Sequence, residues 1–69
     1  MKVFNYEIKA HIGTISHNDE YEKAVKLISY NGAEPKIDVR TWRGEKMLKG
    51  ITLTKEEAKH LVDILKDHL

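Results

Sequence analysis

The chain has 69 residues, no cysteine, and 12 Lys and Arg against 11 Asp and Glu, for a formal net charge of +1. That length suits one domain, and the missing cysteine excludes disulfides and thiolate metal sites. No apolar run approaches the ~20 residues of a membrane span and no signal-peptide core opens the chain, so a soluble, cytoplasmic domain is expected. A chain this short buries only ~60% of its unfolded surface, so its stability depends on good packing or self-association.

Residues 3–16 alternate. Phe4, Tyr6, Ile8, Ala10 and Ile12 fall on one side and Asn5, Glu7, Lys9 and His11 on the other, the period of a half-buried strand. Gly13 marks a bend or bulge near its end. The polar run from His17 to Glu20 reads as a turn. Residues 21–30 are ambiguous by period, because Ala24, Val25 and Ile28 also share a helical face. The following Asn31 and Gly32 favour a hairpin, since both tolerate the positive φ of a type I′ turn, so a second strand is expected.

Pro35 can open a third strand where no ladder donor is needed. Ile37, Val39 and Thr41 then point one way, and Lys36, Asp38, Arg40 and Trp42 the other. Arg43 and Gly44 read as a turn, and residues 46–53 as a fourth strand with Ile51 and Leu53 inward. Strict alternation would bury Lys49; a bulge at Gly50 would put Lys49 out and Leu48 in.

The helix signal follows. Thr54 with Glu57 three residues on is a capping box, and Glu56 and Glu57 suit the positive end of the helix dipole. Ala58, Leu61, Val62, Leu65 and Leu69 recur at helical spacing and Ile64 widens the stripe. The stripe is broader than one sheet contact needs, which predicts contact with a second copy. The expected fold is α+β: four antiparallel strands and one C-terminal helix, with the aliphatic sheet face taking the helix.

The opposite face would gather Lys26, Tyr30, Lys36, Arg40, Trp42 and, after the bulge, Lys49. Within residues 35–53, five cations, including Arg43 and Lys46, stand against Asp38 and Glu45, leaving this stretch more basic than the rest of the chain. Aromatic rings stack on bases while Lys and Arg track phosphates, so this face predicts a single-stranded nucleic acid partner. The competing readings are ordinary ones: Trp42 closing a sheet edge, Arg40 paired with a carboxylate such as Glu7 or Glu22, Tyr30 as a hairpin packing residue, and the lysines as solvated surface.

The runs AEPKIDVRTW and EKMLKGITLTKEE resemble the bacterial YdbC-like proteins, of the same family as the eukaryotic transcriptional coactivator called positive cofactor four. The resemblance covers residues 33–57 and is most specific from Ile37 to Trp42 and from Lys49 to Leu53. It implies a curved sheet, dimers formed through the helices (here Leu61, Val62 and Leu65), and sequence-independent binding of single-stranded DNA or RNA. By position, Arg40, Trp42 and Lys49 match family binding residues and Tyr30 approximates a hairpin aromatic; Lys26, Lys36 and Lys46 complete the predicted site. Glu34 departs from the pattern, falling near a position that is basic in the eukaryotic coactivator. A role in transcription, replication or repair, in the cytoplasm or on the nucleoid, would follow.

No catalytic or metal constellation is expected. His60 and His68 are eight residues apart, too far along a helix to share one ion, and His11 and His17 lack a ligand spacing. Ser16 and His17 are strand neighbours and point to opposite faces. No glycine-rich phosphate loop is present, so no cofactor is predicted. The alternative to nucleic acid binding is a dimeric protein-interaction module.

Overall fold

The computed structural model describes residues 5–69. Four strands run in sequence order, β1 Tyr6–His17, β2 Glu22–Tyr30, β3 Lys36–Arg43 and β4 Lys46–Leu53, followed by α1 Lys55–Lys66. Each strand pairs antiparallel with the next in one open sheet ordered β1-β2-β3-β4. This is the expected four-strand-and-helix fold. Val3 and Phe4, the start of the predicted first strand, lie outside the described residues.

The first strand departs from simple alternation. Its register against β2 shifts between Ile8 and Ala10, between His11 and Gly13, and between Thr14 and Ser16. Three bulges in one edge strand add a residue each, so Lys9, Ile12 and Ile15 have no direct partner. The expected row of Tyr6, Ile8, Ala10 and Ile12 therefore breaks after Ile8. Tyr6, Ile8, His11, Thr14 and His17 stand opposite Tyr30, Ile28, Lys26, Ala24 and Glu22 on one face instead. Repeated bulges increase strand bend and twist, and they protect a 12-residue edge from pairing with another chain.

The β2–β3 connection contains the predicted turn. Asn31 and Gly32 have φ of 52° and 76°, and Ala33 N–H donates to the Tyr30 carbonyl at 3.0 Å. The turn is extended by Glu34 and Pro35 before β3 begins, so the hairpin loop is longer than its two central residues. Ser29 Oγ donates to the Ala33 carbonyl at 2.5 Å, and Asn31 N–H to the Asn5 carbonyl at 2.8 Å, which ties this loop to β1. The β3–β4 turn closes on Arg43 and Lys46, with Gly44 at φ 59° in the first position of a two-residue loop.

Between Arg40 and Trp42 the β3–β4 register shifts, because Leu48 and Lys49 together face the single Thr41. This is the predicted bulge, placed just before Gly50; Lys49 is exposed and Leu48 half-buried. Gly50 then lies directly against Arg40, where an added Cβ would stand 1.9 Å from the Arg40 Cβ. Only glycine permits that approach.

The helix begins as its sequence dictates. Thr54 Oγ1 accepts from Glu57 N–H at 3.1 Å, and Glu57 Oε1 accepts from Thr54 N–H at 2.8 Å, closing the capping box. The helix touches β3 and β4 but buries none of its residues.

The location of the core corrects one expectation. Among the described residues, the fully buried apolar ones are Ala24, Ile28 and Trp42, on the sheet face read as basic and solvated. The aliphatic face is only half-covered: Val25, Leu27, Ile37, Val39 and Leu53 are intermediate and Ile51 is 53% exposed. Alternation assigned residues to faces but could not reveal which face is sealed. The single tryptophan, by its size, fills one face, whereas the helix buries none of its own residues and the aliphatic row stays partly open.

Candidate functional site

The pairing register brings five of the predicted site residues onto one face. Lys26 and Tyr30 come from β2, and Lys36, Arg40 and Trp42 from β3, with Ala24 opposite Arg40 and Lys26 opposite Asp38. Lys46 does not join them. It pairs with Arg43, one residue beyond Trp42, and so points to the other side at the β3–β4 turn. Lys49 is exposed in the bulge but lies opposite Thr41, not opposite Arg40 or Trp42, so the register does not bring it onto this face.

Trp42 is not the open platform that alternation suggested. Its ring is 1% exposed and packs with Ala24 and Ile28, while Tyr30 and Met47 close around this cluster. Lys26 Nζ lies 3.9 Å from the ring centroid, a cation–π contact. The Tyr6 ring stands 6.2 Å from the Trp42 ring and 6.3 Å from the Tyr30 ring. Tyr6 pairs with Tyr30 at one end of β2, and Trp42 pairs with Glu22 at the other end. Rings from opposite ends of a strand meet only if the face curls and long side chains lean inward, so this face is a hollow floored by Trp42. The small Ala24 leaves room for the indole. Trp42 Nε1 has no hydrogen-bond partner.

Arg40 and Asp38 form a buried pair that sequence reasoning missed. Asp38 is fully buried and the Arg40 side chain is 13% exposed. Arg40 Nε donates to Asp38 Oδ1 at 2.5 Å and Arg40 Nη2 donates to Asp38 Oδ2 at 2.7 Å, a bidentate fork. Tyr30 Oη and Thr52 Oγ1 also donate to Asp38 Oδ2, at 2.6 and 3.0 Å, and Arg40 Nη1 donates to the Leu48 carbonyl at 2.9 Å. The carboxylate partner of Arg40 is therefore Asp38, two residues away on the same strand face, rather than Glu7 or Glu22. The signal was present as an i, i+2 acid and base in one strand. Burial by itself would raise the Asp38 pKa, but the donors from Arg40, Tyr30 and Thr52 outweigh it and hold the carboxyl below its ordinary value. Hydrogen bonding to Asp38 raises Arg40. Burial, with the neighbouring carboxylate, pushes the Tyr30 phenol up.

Above this network a cavity of about 390 Å³ is lined by Tyr30, Ala33, Glu34, Lys36, Arg40, Met47 and Thr52. A second, of about 370 Å³, is lined by Tyr6, Ile8, Lys26, Trp42, Gly44 and Glu45. Both lie on the hollow face and combine an aromatic ring with a cation. At its far end, His11 Nε2 lies 3.4 Å from Glu22 Oε2, and Thr14 Oγ1 also donates to Glu22. Those contacts, the Thr14 hydrogen bond first, lower the Glu22 pKa. Arg43 is held by Glu20 at 2.9 Å across the two neighbouring turns. Among the described residues, no group of three or more His, Asp or Glu side chains is placed to hold a metal ion. No described helix is long and apolar enough to cross a membrane.

The family model for transcriptional coactivator p15 (PC4) matches residues 18–64, which run from the β1–β2 turn into α1. An uncharacterised protein of Treponema pallidum (strain Nichols) is 40% identical over 65 residues, covering 90% of this chain and 76% of that protein. The chain belongs to the transcriptional coactivator p15 (PC4) family.

Proposed function

We propose that this protein is a noncatalytic binder of single-stranded nucleic acid, DNA or RNA, acting as a homodimer in transcription, replication or repair. The observation that carries this reading is the hollow sheet face. It sets Tyr6, Tyr30, Lys26, Lys36 and Arg40 around two base-sized cavities, and membership of a coactivator family supports it. Bases would lie against Tyr30 and Tyr6 while the exposed Lys36 neutralises phosphate, and Lys49, exposed in the bulge, would serve a strand that passes over β4. Lys26, over Trp42, lends the hollow positive potential, whereas Arg40, neutralised by Asp38, shapes it. Lys46, on the other side of the turn, would serve only a strand that wraps the β3–β4 edge.

The dimer is supported by the apolar surface one chain leaves open. Val62, Ile64 and Leu65 on the helix are 62%, 61% and 43% exposed, and Ile51 of β4 is 53% exposed. Exposed apolar side chains in this number suit a protein contact. The same surface favours the second reading, a dimeric interaction module without nucleic acid, as do Ile12 and Ile15 on the β1 edge at 54% and 58% exposure.

The deciding experiment is fluorescence anisotropy of a labelled thymidine strand of about 20 nucleotides, titrated at low and moderate salt beside a duplex of equal length. Single-strand binding that exceeds duplex binding and weakens with salt supports the hollow-face reading. A folded protein that binds neither supports the interaction module.

A further inference from the structure

A phosphate-binding face has no electrostatic use for a carboxylate, yet Glu34 lines the larger cavity beside Lys36 and Arg40. Among the described residues, Glu34 takes part in none of the ion pairs. Asp38, the other acid near this cavity, is fully buried and saturated by Arg40, Tyr30 and Thr52. Glu34, in contrast, is exposed and available to accept.

Its position is also well defined. The turn before it is closed by the Ala33 to Tyr30 hydrogen bond at 3.0 Å and held by Ser29 Oγ on the Ala33 carbonyl at 2.5 Å. Pro35 follows with its φ fixed by the ring. Glu34 therefore stands at the cavity rim on an anchored loop, with Lys36 one residue beyond the proline.

The cavity, at about 390 Å³, is large enough for a purine, and Tyr30 and Met47 supply its apolar lining. What remains is to match polar edges. A carboxylate has two acceptor oxygens and is best satisfied by two adjacent donors, as in its fork with arginine. Among the four bases only guanine presents two adjacent donors on its Watson–Crick edge, N1–H and the N2 amino group. Its O6, next to them, accepts, which suits the Lys36 ammonium. Thymine and uracil offer one imino donor flanked by two carbonyls that a carboxylate repels; cytosine and adenine offer one amino group each. Single strands expose these edges, so a pocket on a strand-binding face can read them.

We propose that this cavity is a guanine-selective base pocket, in which Glu34 accepts from N1–H and the N2 amino group of one unstacked guanine while Lys36 donates to its O6. The inference rests on the single-strand reading above and deepens it. Binding elsewhere on the face stays independent of sequence, and this one position prefers guanine.

The test compares a thymidine strand of about 15 nucleotides with the same strand carrying one central dG, dA, dC or deoxyinosine. The wild-type protein is expected to bind the dG strand about fivefold more tightly than the all-thymidine strand. Deoxyinosine, which lacks the N2 amino group, should lose most of that gain, and dA and dC should show none. Glu34→Gln keeps the size of the side chain but replaces one acceptor with a donor. It should abolish the dG gain while leaving thymidine binding equal or slightly tighter, because a negative charge is removed. Equal affinity for all the strands overturns the proposal while leaving single-strand binding intact. A dG gain that persists in Glu34→Gln overturns it as well. If no strand binds, the single-strand reading and this inference fail together.

Discussion

The Lys26 ammonium lies 3.9 Å from the centre of the Trp42 ring, although Lys26 is paired across the strands with Asp38 and Trp42 with Glu22. The lysine stem leans diagonally over an indole that itself lies across Ala24. This makes Trp42 the floor of the hollow and Lys26 its cover. Trp42→Ala should therefore cost about 3–5 kcal/mol of folding stability, the usual loss for a buried aromatic. Lys26→Ala should cost less, on the order of 0.5–2 kcal/mol. Urea denaturation followed by far-ultraviolet circular dichroism measures both. A Trp42→Ala protein as stable as wild type would mean that the indole is not the centre of this sheet.

The Asp38–Arg40 pair should govern acid stability. Asp38 titrates below its ordinary value of 3.8 in the folded chain, so the unfolded chain binds the proton more readily. The stabilisation from this group is complete above pH 3.8 and is lost as pH falls through the lower, folded value. Denaturation midpoints should drop across that window in wild type and drop less steeply in Asp38→Asn. Arg40→Ala should be the more damaging change at neutral pH, by about 3–5 kcal/mol, because it leaves a buried carboxylate unpaired. Equal acid sensitivity of wild type and Asp38→Asn would assign the effect to other carboxylates.

These two clusters show where the sequence was legible. Alternation in β2 and β3 placed Lys26, Tyr30, Lys36, Arg40 and Trp42 on one face, and Asn31-Gly32 and the Thr54–Glu57 box fixed a turn and a helix start. In β1 the period failed, since bulges at Lys9, Ile12 and Ile15 convert a spacing of two into one of three, and an apolar residue in a bulge looks like any other in the sequence. Burial was misread at Trp42 because covering a ring depends on diagonal neighbours such as Lys26 and Tyr6. Periodicity carries no information about which side chains lean across the strands.

Gly50 offers a sharp steric test. A Cβ there would stand 1.9 Å from the Arg40 Cβ and 2.5 Å from the Val39 carbonyl oxygen. Backbone, not a flexible tip, blocks the space, so β4 must move away from β3. Gly50→Ala should destabilise by about 1–3 kcal/mol or more, and the displacement should disturb the contact of Arg40 with the Leu48 carbonyl. Amide chemical shifts of residues 38–42 and 48–52 would report it, and shifts unchanged from wild type would show that the strands have slack.

Lys36 should act through phosphate charge. It is exposed beside the larger cavity. Each phosphate neutralised on a single strand contributes about −0.7 to the slope of log affinity against log salt. Lys36→Ala should make that slope shallower by about this amount, and Lys36→Arg should preserve it. An unchanged slope in Lys36→Ala would remove Lys36 from the phosphate contacts while leaving its place at the cavity open.

The helix stripe should hold two copies together. Leu61 is half-buried against its own sheet, whereas Val62 and Leu65 remain 62% and 43% exposed, so one chain satisfies only part of the stripe. Leu69 at the C-terminal end is 97% exposed. A dimer through this surface is expected to leave the hollow faces of both copies open. Sedimentation at micromolar concentration should give the mass of two chains for wild type and of one for Leu65→Asp. Since Leu65 contributes little to the core of a single chain, that variant should keep its β-sheet circular dichroism and bind a short strand with near-wild-type affinity per site. Its affinity for a strand long enough to span both hollows should fall more, because linking two sites raises the effective concentration at the second. A wild-type monomer would leave the stripe to some other partner, and equal losses on short and long strands in Leu65→Asp would mean that each hollow is completed by the other chain.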